Sequence, residues 1–128
     1  MDEETFKART KHVALAVIQL CTTLPRSLAT DTISRQLIRS GTSVGANYRA
    51  ACRARSKPDL IAKLGVVEEE ADESIYWLEL LIDSGALAKP TAMTIRNEMN
   101  EILAMTVASI RTLRQHSENP KSKIQNPK

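Results

Sequence analysis

Aromatic residues, cysteines and long apolar runs are all scarce in this chain. Aromatic residues make up only 3% of its 128 residues, which argues against the stacking platforms that bind single-stranded nucleic acids. The two cysteines, Cys21 and Cys52, are too few for a disulfide scaffold and are typical of a reducing compartment. Both lie at or beside predicted core positions, so we expect buried free thiols.

Features of a secretory signal or a membrane span are also missing. Residues 2–4 are all acidic, whereas the start of a signal peptide is basic. The apolar run at 13–20 is broken by Gln19 and is too short to cross a bilayer. We therefore expect a cytoplasmic protein with no membrane partner.

The sequence has no residue set typical of catalysis or metal binding. It contains no glycine-rich phosphate loop, no Cys-x-x-Cys pair and no serine–histidine–aspartate set. His12 and His116 lie near opposite ends of the chain, and neither forms the Glu-x-x-His motif of di-iron bundles. We expect a non-enzymatic protein with no catalytic residue, no metal and no cofactor.

Four amphipathic segments account for most of the chain. Apolar residues recur at steps of three and four, and the segments cover approximately residues 4–24, 31–55, 56–85 and 90–116. Four helices of similar length with short connections predict an all-α, antiparallel up-and-down four-helix bundle over residues 1–116. Residues 117–128 are predicted to form a disordered basic tail.

The apolar faces of the segments predict the core and some helix ends. Ser56 is a good N-cap for the third helix, with Pro58 and Asp59 in its first turn, and Gly85 is a stop. Two glycines in the second segment lower helix propensity by about 1 kcal/mol each, so we expect them to permit close helix contact. These glycines are Gly41 and Gly45, and the predicted core includes Val17, Leu37, Leu64, Leu78 and Met99.

Charge is distributed in blocks, although the net charge is only +3. Residues 26–57 carry seven Lys or Arg against one acid, and residues 58–88 carry eight Asp or Glu against one Lys. From residue 89 onward, seven bases face three acids. This asymmetry says more about partners than the total charge does.

Four arginines align on the second helix, opposite its apolar face. The planar guanidinium suits bidentate contact with phosphate or carboxylate. The stripe fits a nucleic-acid backbone, a solvated face, or a face matched to acids of a neighbouring subunit, and the modest net charge weighs against the first. The arginines are Arg35, Arg39, Arg49 and Arg53, and the matching acids on the third helix are Glu68, Asp72, Glu79 and Asp83.

Several apolar residues lie off the core faces of the first and third helices. They are Leu15, Ile18, Val66, Trp77 and Leu80. Such residues on two helices favour a subunit interface, and tryptophan is enriched at interfaces. Trp77 is also suited to covering the edge of the bundle. We predict a homo-oligomer.

Several short stretches are shared with a known family. They are QLIR at 36–39, SVGANYR at 43–49, AACRARS at 50–56, KL at 63–64, VEEEADE at 67–73 and YWLELL at 76–81. Through them, residues 35–81 resemble a bacterial family of four-helix bundle proteins, which includes proteins encoded in intervening sequences of large-subunit ribosomal RNA genes. The first and fourth helices fit this family in length and pattern.

The resemblance implies a left-handed bundle that assembles as a homopentameric ring, with no catalytic residue. More distantly, the chain is similar to the accessory variability proteins of diversity-generating retroelements, which bind a reverse transcriptase and nucleic acid. Those relatives are more basic, and the acidic third helix departs from them. The resemblance thus implies RNA, nucleic acid or a reverse-transcriptase-like protein as a partner.

Two functions follow from the residues and the resemblance together. The first is a ring-forming adaptor that binds RNA, or an RNA-handling protein, through the basic surface of the second helix. The alternative is a protein-binding scaffold in which those arginines pair with acids on the third helix of neighbouring subunits.

Overall fold

The structure, a computed structural model, describes residues 2–118 and contains four helices and no strand in that range. The helices are α1 (Glu3–Thr22), α2 (Leu28–Ala51), α3 (Lys57–Asp83) and α4 (Lys89–Glu118). Helices that are consecutive in sequence pack against each other, and α1 completes the bundle against α4. The predicted all-α, antiparallel up-and-down four-helix bundle is confirmed.

Side chains cap the first three helices. Asp2, Ser27 and Ser56 each have an extended backbone and accept the backbone N–H of the residue three positions on. Beyond the end of α3, Gly85 has a φ of 77° and the backbone N–H of Ala86 donates to the carbonyl of Leu81, which closes the last turn. The predicted start and stop of α3 are confirmed.

Several predicted helix boundaries differ from the structure, and α2 begins at Leu28 rather than near residue 31. Helix α2 ends at Ala51 rather than near residue 55, so Arg53 lies in the α2–α3 connection. The chain leaves the helix there because Ser56 needs an extended backbone to cap α3, and Asp59 accepts the backbone N–H of Arg55 at 3.1 Å. Helix α4 continues to Glu118, two residues into the predicted tail, and residues 119–128 lie outside the described range.

All four helices contribute to one apolar core, and its most deeply buried side chains come from the predicted faces. They are Phe6, Val17, Leu37, Val44, Val67, Leu78, Leu81, Met99 and Ile102. The expectation of buried thiols is wrong, because Cys21 and Cys52 are free but only partly buried at the flanks of their faces. Partial burial raises the pKa of the Cys21 thiol, and a hydrogen bond with Ser34 opposes the shift.

The glycines of α2 bring it close to α1, as predicted. A Cβ atom at Gly41 would lie 3.2 Å from Cγ1 of Val17, and one at Gly45 would lie 3.1 Å from Oγ1 of Thr10. These separations are shorter than ordinary carbon contacts. A Cβ atom at either position would therefore require Val17 or Thr10 to shift by a few tenths of an ångström.

The seam between α1 and α4 is the weakest helix–helix contact in the bundle. Arg9 bridges it with a two-pronged ion pair, in which Nε and Nη2 lie 2.9 and 2.8 Å from the carboxylate oxygens of Glu98. Nη2 also donates to Glu101 at 2.9 Å. The ion pairs of Arg9 therefore join α1 to α4 at the seam where these two helices pack least closely.

Gly65 offers a direct test of helix propensity. It lies inside α3, and apart from its chain neighbours and the adjacent backbone of its own helix no atom of the described structure lies within 4 Å of the place its Cβ would occupy. Gly65→Ala should raise the free energy of unfolding by about 0.5–1 kcal/mol, because alanine loses less backbone entropy on folding. In Gly41→Ala the added Cβ lies close to Val17, so the free energy of unfolding should increase less. Urea unfolding of both variants checks this, and equal gains would contradict the close contact at Gly41.

Candidate nucleic-acid interface and oligomer surfaces

The four predicted arginines are all exposed, but they are not equivalent. Nη2 of Arg39 lies 2.6 Å from Glu73 and 3.2 Å from Glu70, both on α3 of the same chain. Within residues 2–118, the other three arginines have no acid at ion-pair distance. They are Arg35 and Arg49 on α2 and Arg53 in the α2–α3 connection.

Arg39, Glu70, Glu73 and Trp77 form a cluster that we call the α2–α3 clamp. Trp77 donates its indole N–H to Glu73 at 3.1 Å. The guanidinium of Arg39, and then this N–H, lower the pKa of Glu73. Oε1 of Glu70 is buried without a hydrogen bond in the described structure, which leaves the nearby Arg39 charge as its compensation. Arg39 is therefore committed to contacts inside the subunit.

The lowered pKa of Glu73 predicts a pH effect on stability. A depressed folded-state pKa stabilises the protein above the ordinary glutamate pKa of 4.5 and ceases to do so as the pH falls through the lowered value. Removing Arg39 should therefore reduce the loss of stability on acidification below about pH 5. Urea midpoints of wild type and Arg39→Gln between pH 7 and pH 3 measure this, with Arg35→Gln as the matched control. Identical acid profiles for the wild type and Arg39→Gln would contradict it.

Positive charge that has no ion-pair partner among the side chains of residues 2–116 collects at one end of the bundle, where α2 leads into α3 and α4 terminates. We call this surface the basic end, and its exposed members are Arg49, Arg53, Arg55, Lys57, Arg111 and Arg114. Two acids at this end are paired with other cations, since Lys63 holds Asp59 at 2.7 Å and Lys7 holds Glu3 at 3.1 Å. The positive potential of this end is therefore only partly cancelled within the described chain.

Sequence reasoning missed four members of the basic end, namely Arg55, Lys57, Arg111 and Arg114. Two signals were present: the positive block at residues 26–57, and the return to positive charge after residue 89. An up-and-down order places the end of the second helix, the start of the third and the end of the fourth together. The positive charge blocks, taken together with the up-and-down order of the helices, would have predicted the basic end.

The four predicted acids on the flank of α3 also differ in whether they have an ion-pair partner in the described part of the subunit. Glu79 accepts two hydrogen bonds from Arg96 of α4, at 2.8 and 3.0 Å. Glu68, Asp72 and Asp83 have no ion-pair partner among residues 2–118. These three acids are the ones left for contacts with another molecule.

The predicted interface residues differ in exposure. Leu15 and Ile18 on α1 are 49% and 39% exposed, and Val66 on α3 is 37% exposed. Trp77 and Leu80 are partly buried, and Trp77 packs against the core as an edge-covering residue does. Two exposed apolar residues were missed: Tyr76, 54% exposed beside Trp77, and Leu28, 85% exposed at the start of α2.

Four of these exposed residues lie on two helices. We call Leu15 and Ile18 the α1 patch, and we call Val66 and Tyr76, which are ten residues apart on α3, the α3 patch. Helices α1 and α3 each pack against α2 and α4 but not against each other, so they occupy diagonal corners. The patches therefore point away from each other.

Within residues 2–118, no group of three or more His, Cys, Asp or Glu side chains is placed to hold a metal ion. None of the four described helices combines the length and apolar composition needed to cross a bilayer.

Four helices in up-and-down order with a basic end define a small helical-bundle protein without a recognisable metal centre in its described part. The family model of the 23S rRNA-intervening sequence protein matches residues 5–108, and the chain belongs to this family. The family predicted from residues 35–81 is thereby confirmed, and the match extends over α1 and most of α4.

A solved structure gives the same result. The chain is similar to a protein of unknown function from the S23 ribosomal protein family of Bacteroides thetaiotaomicron, with a TM-score of 0.76 and 33% identity. The similarity covers 87% of this chain and 99% of that one. No curated protein matches the chain.

Proposed function

We propose that the protein is a non-enzymatic, cytoplasmic, ring-forming adaptor that binds RNA, or an RNA-handling protein, through its basic surface. The observation that supports this best is the set of exposed Arg and Lys side chains at the basic end, which have no acid partner among the side chains of residues 2–116. A cation already paired inside the subunit gains little from a phosphate, whereas an unpaired one releases condensed counterions when RNA binds.

The basic end is a better RNA surface than the full arginine stripe. The α2–α3 clamp occupies Arg39 in the middle of the stripe, and Arg53 lies beyond the helix. Arg35 stands about 21 Å from Arg49 along the axis of α2. We therefore place the main RNA contact at Arg49, Arg53 and their neighbours, with Arg35 at its edge.

RNA binding measured at increasing salt tests the adaptor. The logarithm of the binding constant should fall linearly with the logarithm of salt concentration, by about 0.7 for each single-strand phosphate contact. Capture of partners from a lysate, with and without ribonuclease, separates RNA from an RNA-handling protein such as a reverse transcriptase. Absence of binding by either route, or RNA binding insensitive to salt, would contradict the adaptor.

The two apolar patches support assembly into a ring. Because the α1 and α3 patches are different surfaces at diagonal corners, contact between one patch and the other is head-to-tail, and repeated contacts of this kind close a ring or extend a filament. Five subunits are implied by the family resemblance. Light scattering should give several times the 14.2 kDa chain mass. Leu15→Glu should lower that mass with unchanged helical circular dichroism, and a monomeric wild type would contradict the ring.

The scaffold alternative is favoured by one observation. The α2–α3 clamp shows that an arginine of α2 and acids of α3 already pair within a subunit. Glu68, Asp72 and Asp83 could receive a neighbour's Arg35 or Arg49 in the same way. Each exposed pair contributes only about 0–1 kcal/mol, so loss of the ring should need several substitutions. A combined arginine variant that dissociates the ring would support the scaffold over the adaptor.

A further inference from the structure

An apolar groove with a volume of about 950 Å³ opens at the basic end. Leu60 and Leu64 of α3 line one wall, and Met105 and Leu113 of α4 line the other. Tyr48 and Cys52 from the end of α2 complete it. The interior of the groove differs from the charged RNA surface proposed above because it consists mainly of hydrocarbon, whereas its rim shares Arg55 and Lys57 with the basic end.

Small side chains and the weak seam explain why the groove exists. Ala51, Ala54 and Ala108 line it, so three helix ends meet without large side chains to fill the space between them. Helix α1, which would otherwise cover this side, packs weakly on α4 and reaches the groove only with Glu3. The opening is thus a consequence of residue size and helix placement.

The interior of the groove is neutral. Tyr48 is only 6% exposed and lies edge-on to Phe6, with ring centroids 4.6 Å apart. Burial, followed by a hydrogen bond with Cys52, raises the pKa of the Tyr48 hydroxyl, so it carries no charge at neutral pH. Ser109 and Thr112 add only uncharged hydroxyl groups.

The rim carries an excess of positive charge. Arg55 and Lys57 line it and have no ion-pair partner among the side chains of residues 2–116, although Arg55 is near enough to Asp59 to help lower the pKa of that carboxyl. The rim acid, Glu3, is held by Lys7 at 3.1 Å. The N-terminus of α3 begins at Lys57 and contributes positive potential, which the C-terminus of α2 at Ala51 opposes, so the positive character of the rim rests on Arg55 and Lys57.

An apolar groove with a cationic rim fits one kind of small ligand. We propose that it binds a single-chain anionic amphiphile, such as a long-chain carboxylate, whose hydrocarbon chain lies along Leu60, Leu64 and Leu113 while its head group meets Arg55 and Lys57. A volume of about 950 Å³ is near the upper end of ordinary ligand sites.

Charge and shape favour this ligand over two others. Residues 119–128 contain three lysines and no Asp or Glu, so the charge of that segment does not complement Arg55 and Lys57. A nucleobase would need an open aromatic face for stacking. Among the described residues that line the groove, the one aromatic is Tyr48, which is buried against Phe6 and offers no such face.

The test is calorimetric titration of the full chain with dodecanoate below its micelle concentration, and with dodecanol as the uncharged ligand of equal chain length. We expect saturable binding of one dodecanoate per chain. Ala108→Phe should fill the groove and weaken binding of dodecanoate at least about tenfold. Ala104→Phe, one turn earlier on α4 and outside the groove, is the matched control and should leave binding unchanged.

The head-group contact has its own variant. Arg55→Gln combined with Lys57→Gln should weaken dodecanoate binding about tenfold and leave dodecanol binding unchanged. No saturable binding, or binding that survives Ala108→Phe, would overturn the groove as the site. Equal loss for both ligands in the double variant would overturn the anionic head group. RNA binding by Ala108→Phe is expected to match wild type, so failure here is distinguishable from failure of the adaptor.

Discussion

Replacing Arg35, Arg49 and Arg53 together with glutamine will weaken RNA binding about a hundredfold at low salt, because each charged contact with phosphate contributes on the order of 1 kcal/mol or more. The slope of log affinity against log salt will also become shallower by about two, since three counterion-releasing contacts are lost. Helical circular dichroism will not change, because all three side chains are exposed and unpaired among residues 2–118.

Arg39→Gln is the matched control for that variant. In the wild type, the guanidinium of Arg39 is held by Glu70 and Glu73. Removing it should therefore alter RNA affinity little and should slightly lower the free energy of unfolding. Fluorescence anisotropy with a short RNA and light scattering on each variant give affinity and mass. If Arg39→Gln weakened RNA binding as much as the triple variant, the assignment of Arg39 to the clamp would be wrong. A dissociated ring in the triple variant would favour the scaffold.

Leu78→Ala will lower the free energy of unfolding by about 2–5 kcal/mol. Leu78 is completely buried in the core, and removal of its methyl groups leaves a cavity that the neighbouring helices only partly fill. Domains of this size have a free energy of unfolding of only about 5–15 kcal/mol, so the variant should lose a large part of its stability.

Val66→Ala on the same helix is the control for Leu78→Ala. Val66 is 37% exposed, so its truncation should cost well under about 1 kcal/mol in the monomer. Urea unfolding with circular dichroism measures both changes. A cost below about 0.5 kcal/mol at Leu78 would mean that the face of α3 has been misassigned.

Helix faces were predictable because burial follows the helical repeat. Leu64, Val67 and Leu78 recur at that period, and all are buried. Helix ends were less predictable, because two local preferences compete at the α2–α3 connection. The residues at 52–55 are compatible with helix, but the cap at Ser56 requires extended backbone, and the cap determines where α2 ends.

The candidate site was less predictable because it depends on contacts between helices. Periodicity within α2 places Arg39 on the arginine stripe, but it gives no sign that Glu70 and Glu73 lie opposite on α3. Likewise, Trp77 is off the core face of its own helix, yet it covers the neighbouring α2–α3 edge. The periodicity of one helix identifies which residues share a face, but it does not identify the residues of other helices that contact this face.

The weak seam between α1 and α4 also bears on how the chain reaches its native state. The strongest helix contacts join sequence neighbours, whereas the Arg9–Glu98 bridge spans 89 positions and closes the thinnest seam. Few of the contacts between helices therefore require a long loop to close before they can form. Proteins dominated by such local contacts fold quickly, within about microseconds to milliseconds. We expect α2, α3 and α4 to form the folding nucleus, with α1 docking onto the glycines of α2 afterwards.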